Sequence, residues 1–403
     1  MKRLTLLLAG FLMIFSVNAA MAADAAKFHI GVCTGTVSQS EDDLRGAENL
    51  IKKYGDVASG GMIKHITYPD QFMTEMETTI SQIASFADDP LMKAVIVNQA
   101  IPGTTEAFRR IREKRPDILL FAGEAHEDPG VIQTAADLAV NCDNIARGYL
   151  IIEAAKKLGV TDFVHISFPR HMSYELLSRR RNIMEVACKD LGLNFHFETA
   201  PDPTSDVGVA GAQQFILEKT PAWIAKYGPK TAFFCTNDAH TEPLLKRIAE
   251  GEGYFIEADL PSPLMGYPGA LGIELADVAG DFPAILKRVE EAVVAKGGKG
   301  RMGTWAFSYG FTTSYALGEY AITLLNKDVD AKTFRRHFKQ EDVFKAYSDA
   351  TPGATWSGNM YTDVNTGVPS KNHVLVYQDD YIFGQGYLNV TDLTVPEKYF
   401  SIK

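Results

Sequence analysis

The side chains best placed to do chemistry follow short apolar runs. Asn98 and Gln99 come after 94–97, Glu124 and His126 after 118–122, and Phe168 and Arg170 after 163–167. Asn237 and Asp238 follow Thr231–Cys235, and the polar stretch 34–40, with Thr34, Gly35, Thr36 and Gln39, follows 28–32. An arginine in such a loop can hold a carboxylate through two parallel N–H bonds. Glu124 with His126 can bind a ligand amine or hydroxyl, and Asn237 offers both donor and acceptor. Each has a plainer reading. A loop arginine is often solvated, and a histidine beside acids is often a satisfied surface group. The run Arg179-Arg180-Arg181 lies on a helical pattern, so at most one or two of its members can face one cleft. Trp305 and Tyr309 can stack on a ligand, although aromatics more often fill cores.

No catalytic constellation accompanies these groups. The chain has no G-x-S-x-G, no H-E-x-x-H and no P-loop. Gly297-Gly298-Lys299-Gly300 ends a helix and has no strand before it, so it is not a phosphate cradle. No cofactor and no metal is implied. An enzyme would need a nucleophile with a base at the strand ends, and only Cys33 and His126 are candidates.

The elements that must position these residues alternate. The first stretch runs from a buried strand at 28–32 through the polar loop to a helix, with Leu44, Ala47, Leu50 and Ile51 at helical spacing and Ser40 as N-cap. Strands at 62–68, 94–97, 118–122 and 138–140 follow, separated by helices at 72–86 and 104–115. Continuous apolar runs of this kind are buried on both faces, and the alternation predicts a parallel sheet covered by helices. The pattern restarts at 144 with helices at 144–158, 173–191, 209–227 and 242–249, and strands at 163–167, 195–199 and 231–235. Pro221 predicts a break in the helix 209–227. Helices at 282–295 and 312–326 come next, then a tail with one helix near 334–346 and late strands at 374–377 and 381–387. Loops after the carboxyl ends of such strands are where ligands bind in open α/β sheets.

The N-terminus predicts export. Lys2 and Arg3 precede the apolar run 4–17, and Ala20-Met21-Ala22 fits a small-x-small cleavage site, so 1–22 is expected to be a signal peptide. No second long apolar run follows, and a soluble periplasmic monomer is expected. The net charge of −10 argues against a nucleic-acid partner. Cys33, Cys142, Cys188 and Cys235 are too few and scattered for a disulfide framework, though one bridge stays open in an oxidising compartment.

From Phe28 to Asp328 the chain resembles the type I periplasmic solute-binding proteins, the ribose-binding and sugar-receptor superfamily. The resemblance is carried by the first strand-loop-helix, by Cys142-Asp143-Asn144 with Gly148, by 178–191, by Phe234-Cys235-Thr236-Asn237-Asp238, and above all by RMGTWAFSYGFTTSYALGEYAITLLNKD at 301–328. It implies an α/β fold of two Rossmann-like, doubly wound parallel-sheet domains joined by a three-strand hinge. Domain one would hold 27–143 and 308–328, domain two 144–307, with 329–403 as a C-terminal extension. The implied site lies between the domains. It takes the 34–39 loop, Asn98, Gln99, Glu124 and His126 from one side, and Phe168, Arg170, Arg180, Asn237, Asp238 and Tyr267 from the other. Ser308 and Tyr309 lie at the hinge.

The departures bear on the ligand. The first loop lacks the aromatic of sugar binders, Gln99 stands where they often have Asp, and 264–268 replaces an Asp-bearing loop. A standard pentose or hexose is therefore not expected. The function implied is capture of a small polar ligand by hinge closure, for delivery to an ABC permease or presentation to a membrane sensor. A repressor of similar fold is disfavoured, since the leader stands where its helix-turn-helix would be.

Overall fold

A computed structural model describes residues 26–403; the expected signal peptide, 1–22, lies outside the described residues. Strands β1 (His29–Thr34), β2 (Ile63–Thr67), β3 (Met92–Asn98), β4 (Leu119–Gly123) and β5 (Leu138–Cys142) run parallel, in the order β2-β1-β3-β4-β5. The residues of β1, β3, β4 and β5 are almost all buried, as expected of strands covered on both faces, while those of the edge strand β2 are mostly half-buried. A second parallel sheet is built from β6 (Asp162–Ser167), β7 (Asn194–Thr199) and β8 (Thr231–Cys235), with β6 in the middle. Two lobes result, with the crossover helix Asn144–Lys157 packed on the second lobe's helix Glu175–Leu191.

After β9 (Gly303–Trp305), the helix Tyr309–Leu325 returns to the first lobe and packs on the helix Val37–Tyr54. The two approach closely because glycines face the contact. A Cβ on Gly46 would stand 2.4 Å from the Phe311 carbonyl oxygen. Overpacking such a contact costs about 1–3 kcal/mol. Gly46→Val is expected to lower the thermal unfolding midpoint clearly, and an unchanged midpoint would show that the helices part freely.

The tail is distributed over both lobes. β10 (Trp356–Thr362) and β11 (Pro369–Gln378) extend the first sheet to seven strands, β11 parallel to β5 and β10 antiparallel to β11. β12 (Asp380–Ile382) then pairs with β9, and β13 (Gly386–Tyr387) with β12. The chain thus passes between lobes at three places: after β5, after β9 and after β11. The passages are stitched together. Asp143 N donates to Val376 O at 2.7 Å, and Phe307 N to the Gln378 side-chain oxygen at 3.3 Å. The C-terminal turn Glu397–Ser401 lies on the second lobe, where Arg179 Nε donates to Ile402 O at 3.0 Å and Nη2 to Phe400 O at 3.0 Å.

Three local expectations differ from the structure. The first helix begins at Val37 rather than after Ser40, and Ser40 marks a kink within it (φ −162°, ψ 86°). The helix Gly208–Tyr227 runs through Pro221 without a break. Proline leaves the carbonyl four residues earlier without its N–H. Here that carbonyl, Leu217 O, accepts from Arg247 Nε at 2.9 Å, so a neighbouring helix supplies the missing bond. The single tail helix is two, Phe334–His337 and Gln340–Ala350. All four cysteines are free and buried.

Candidate functional site

The carboxyl ends of β1, β3, β4 and β5 face those of β6 and β8 across a cleft of about 480 Å³. From the first lobe it is lined by Gln39, Gln99, Glu124, His126 and Asn141; from the second by Arg170, His171, Tyr174, Asn237 and Asp238; and from the segment after 257 by Asp259. The size suits a small molecule.

Glu124 follows β4 with φ +40°, a left-handed backbone that is costly for a residue with a Cβ and characteristic of functional loops. Its Oε2 accepts from Cys142 N at 2.9 Å and from the Tyr309 hydroxyl at 2.7 Å. Burial raises its pKa despite both bonds. Gln99 is 9% exposed; its backbone N–H points at Asp43 Oδ2 (3.4 Å), and its side-chain amide has no partner among the described residues. Burial pushes Asp43 up to about 7. His126 stacks on Tyr174 with centroids 5.9 Å apart, and burial, with the nearby His171 and Arg170, holds it down to about 4. His171 is lowered by burial and by Arg170 to about 3. Both imidazoles are therefore neutral at pH 7.

Arg170 is committed within its own lobe. Nε and Nη2 grip the Asp202 carboxylate at 2.7 and 3.0 Å, Nη1 reaches the Tyr174 hydroxyl at 3.2 Å, and the guanidinium lies 5.2 Å over the Phe168 ring. Burial opposes ionisation of Asp202, but the bonds from Arg170 and Thr204 outweigh it and hold its pKa at about 2. Asn237 caps the helix Asp238–Glu250 through Ala239 N at 3.0 Å. Asp238 heads that helix, where the positive end favours a carboxylate. Burial, then the charges of Asp259, Asp43, Asp42 and Glu124, nevertheless raise its pKa well above the ordinary value.

The other residues named from sequence stand behind the cleft wall, apart from Gln39 on its rim. The buried Thr34 hydroxyl donates to Gly35 O and pairs with His65 Nε2, both at 2.9 Å. Gly35 lies so close to the Tyr68 hydroxyl that a Cβ there would stand 2.9 Å from it. Thr36 bonds Asp70, and Gln39 donates to Asp70 O at 2.9 Å, which positions the first loop. Asn98 ties β3 to the return helix through Gly310 O (3.1 Å) and Ser314 Oγ (2.9 Å). Ser308 donates to Asp42 at 2.6 Å and caps Phe311 N. Arg180 is fully buried, bonded to Asn144 Oδ1 at 2.6 Å and paired with Asp259. Phe168 is buried under Arg170 and His171. Tyr267 lies apart from the cleft: it donates to Gly303 O at 2.7 Å and packs edge-on against Phe383. Asp259 and Tyr174 line the cleft without having been singled out. Tyr174 precedes the helix Glu175–Leu191 and Asp259 sits in an irregular segment, so neither follows an apolar run; the loop holding Arg170 and His171 was the available signal for Tyr174.

A profile of the family described as "Protein of unknown function (DUF3798)" matches residues 28–303. This chain belongs to that family. A second family profile, without a descriptive name, matches residues 314–402. A protein of Treponema pallidum (strain Nichols), described only as uncharacterized, is 48% identical over 178 residues, 44% of this chain and 80% of the relative. Another from the same organism is 41% identical over 218 residues, 54% of this chain and 99% of the relative. Among solved structures, a protein from Clostridium difficile 630 described as a candidate transcriptional regulator superposes with a TM-score of 0.72 at 21% identity, covering 89% of this chain and 99% of that one. An ABC transporter solute-binding protein from Clostridium phytofermentas with bound L-rhamnose gives 0.50 at 10% identity, covering 91% and 98%. The DUF3798 chain therefore has the type I periplasmic binding protein fold, two α/β lobes joined at a hinge. No helix among its described residues is long and apolar enough to cross a membrane.

Proposed function

We propose that this DUF3798 protein is an exported solute-binding protein that closes about its hinge on a small polar ligand and hands it to an ABC permease. The observation that carries this reading is the cleft of about 480 Å³, lined by strand-end polar groups from both lobes. Residues 27–143 with 308–328 act as one ligand-binding unit and 144–307 as the other, with 329–403 an extension that spans them. Gln99, Glu124 and His126 meet the ligand from one side, and Asn237 and Asp238 from the other. The work is closure rather than bond chemistry, since a ligand that touches both lobes favours the closed form by its differential affinity.

The test uses protein purified without denaturation from the cells that make it. Small molecules released from it are identified by mass spectrometry and added back to stripped protein. A smaller radius of gyration in X-ray scattering, with a raised unfolding midpoint, is the expected result. A stripped protein whose radius and midpoint ignore the whole extract would sink the proposal.

A further inference from the structure

The charges around the cleft do not balance. Arg170, which lines it, and the buried Arg180 and Arg147 behind it are spent on acids of the protein: Arg170 on Asp202, Arg180 on Asp259, and Arg147 on Glu257 at 2.8 Å. Both lining histidines are neutral. Four carboxylates at the hinge-side end have no cation: Asp42, Asp43, Glu124 and Asp238. Glu124 uses only Oε2 for its two bonds, and Oε1 is left over. The half-buried Asp238 carboxylate makes no hydrogen bond within the described residues. The Gln99 amide, more than nine-tenths buried and lining the same space, has no partner either. An unpaired polar side chain so far withdrawn from water is costly and is ordinarily satisfied by something.

Resting on the cleft reading above, we infer that the hinge-side end of the cleft takes a primary ammonium group of the ligand. Asp238, Glu124 Oε1 and the Gln99 amide oxygen are its three acceptors. A primary ammonium has three N–H donors and no acceptor, which matches three acceptor atoms that no group of the protein occupies. It also supplies the missing positive charge, and in a shielded site that charge is worth more than in water. The Tyr174 ring, with His126 stacked on it, offers a flat wall for the rest of the molecule. A neutral polyol would fill the hydrogen bonds but do nothing to favour the ionised form of these acids, which an ammonium stabilises. An anionic ligand would add to their repulsion.

The extract released from the natively purified protein is split on a cation-exchange resin at pH 7. The retained and flow-through fractions are added separately to stripped protein, and unfolding midpoints are read. The retained fraction is expected to stabilise the wild type, and its molecules to carry a primary amine by mass. Asp238→Asn should weaken that response at least ~30-fold in concentration, as for loss of a buried charged contact, while the exposed control Glu252→Gln leaves it unchanged. Asp238→Asn should also leave the empty protein as stable as wild type or more so, since it removes repulsion. Stabilisation by the flow-through alone would overturn the ammonium site and leave the cleft reading standing. Stabilisation by neither fraction would overturn both. A full response in Asp238→Asn would overturn the assignment of Asp238 and with it the site.

Discussion

A chain ending at Asp328 is expected to give no folded protein, although the resemblance read from the sequence alone stops there. The tail contributes inner structure. His373 to Val376 of β11 pair with Ala139 to Cys142 of β5, and β10 covers β11 in turn. Trp356, Tyr361, Val374, Leu375, Val376 and Tyr377 are all less than a tenth exposed. Burying a side chain of this kind is worth about 1.5–3 kcal/mol, and six of them sum to roughly 9–18 kcal/mol. That is an upper figure, because the unfolded chain is not fully extended. It still equals the whole stability of a typical domain, about 5–15 kcal/mol. Circular dichroism and gel filtration of the truncated chain decide the matter. A monomer with a cooperative unfolding transition would show that 329–403 is dispensable to the fold.

The second large effect is expected from Arg147→Met. Arg147 and Glu257 are each 2% exposed and bonded at 2.8 Å. Arg147 also reaches Asn144 Oδ1 and Ala258 O, both at 2.9 Å, and its guanidinium lies 5.3 Å over the Trp305 ring. Methionine keeps the stem's packing and removes the charge. Glu257 is then buried with no counter-ion beside Asp380, whose own pKa is already raised by burial and by Glu257. Breaking a buried pair from one side costs about 3–5 kcal/mol. Replacing Glu257 by Gln in the same chain should restore part of the loss, so the two changes are less than additive. Urea unfolding of the wild type, both singles and the double gives the cycle. A loss well below about 3 kcal/mol in Arg147→Met, short of that range, would mean that water reaches Glu257.

Most strands were legible because strands buried on both faces leave continuous apolar runs, as in Ala94 to Val97 and Thr231 to Cys235. β10 left no such mark: Ser357, Gly358 and Asn359 read as a loop, and only its register against β11 makes it a strand. Gly358 is there because a Cβ would stand 1.8 Å from the Leu375 carbonyl oxygen. Pro221 misled for a related reason. The bond that keeps its helix whole comes from Arg247, and no local rule sees a donor on another helix. At the candidate site, the strand-end rule placed Gln99, Glu124, His126, Asn237 and Asp238 at one cleft. Sequence does not tell whether an arginine is free. Arg170 and Arg180 bear the right charge for a ligand, but Asp202 and Asp259 hold them. Asp259 lies in a segment with no period at all.

The pairing of β11 with β5 also sets when this protein can fold. An inner strand of the first sheet comes from residues 369–378, while its neighbour comes from 138–142. Everything between must be synthesised before the sheet closes, and the loop entropy of so distant a pairing makes that step slow. Polypeptide leaves the ribosome at about 5–20 residues per second, so the first lobe stays open for many seconds after its first five strands appear.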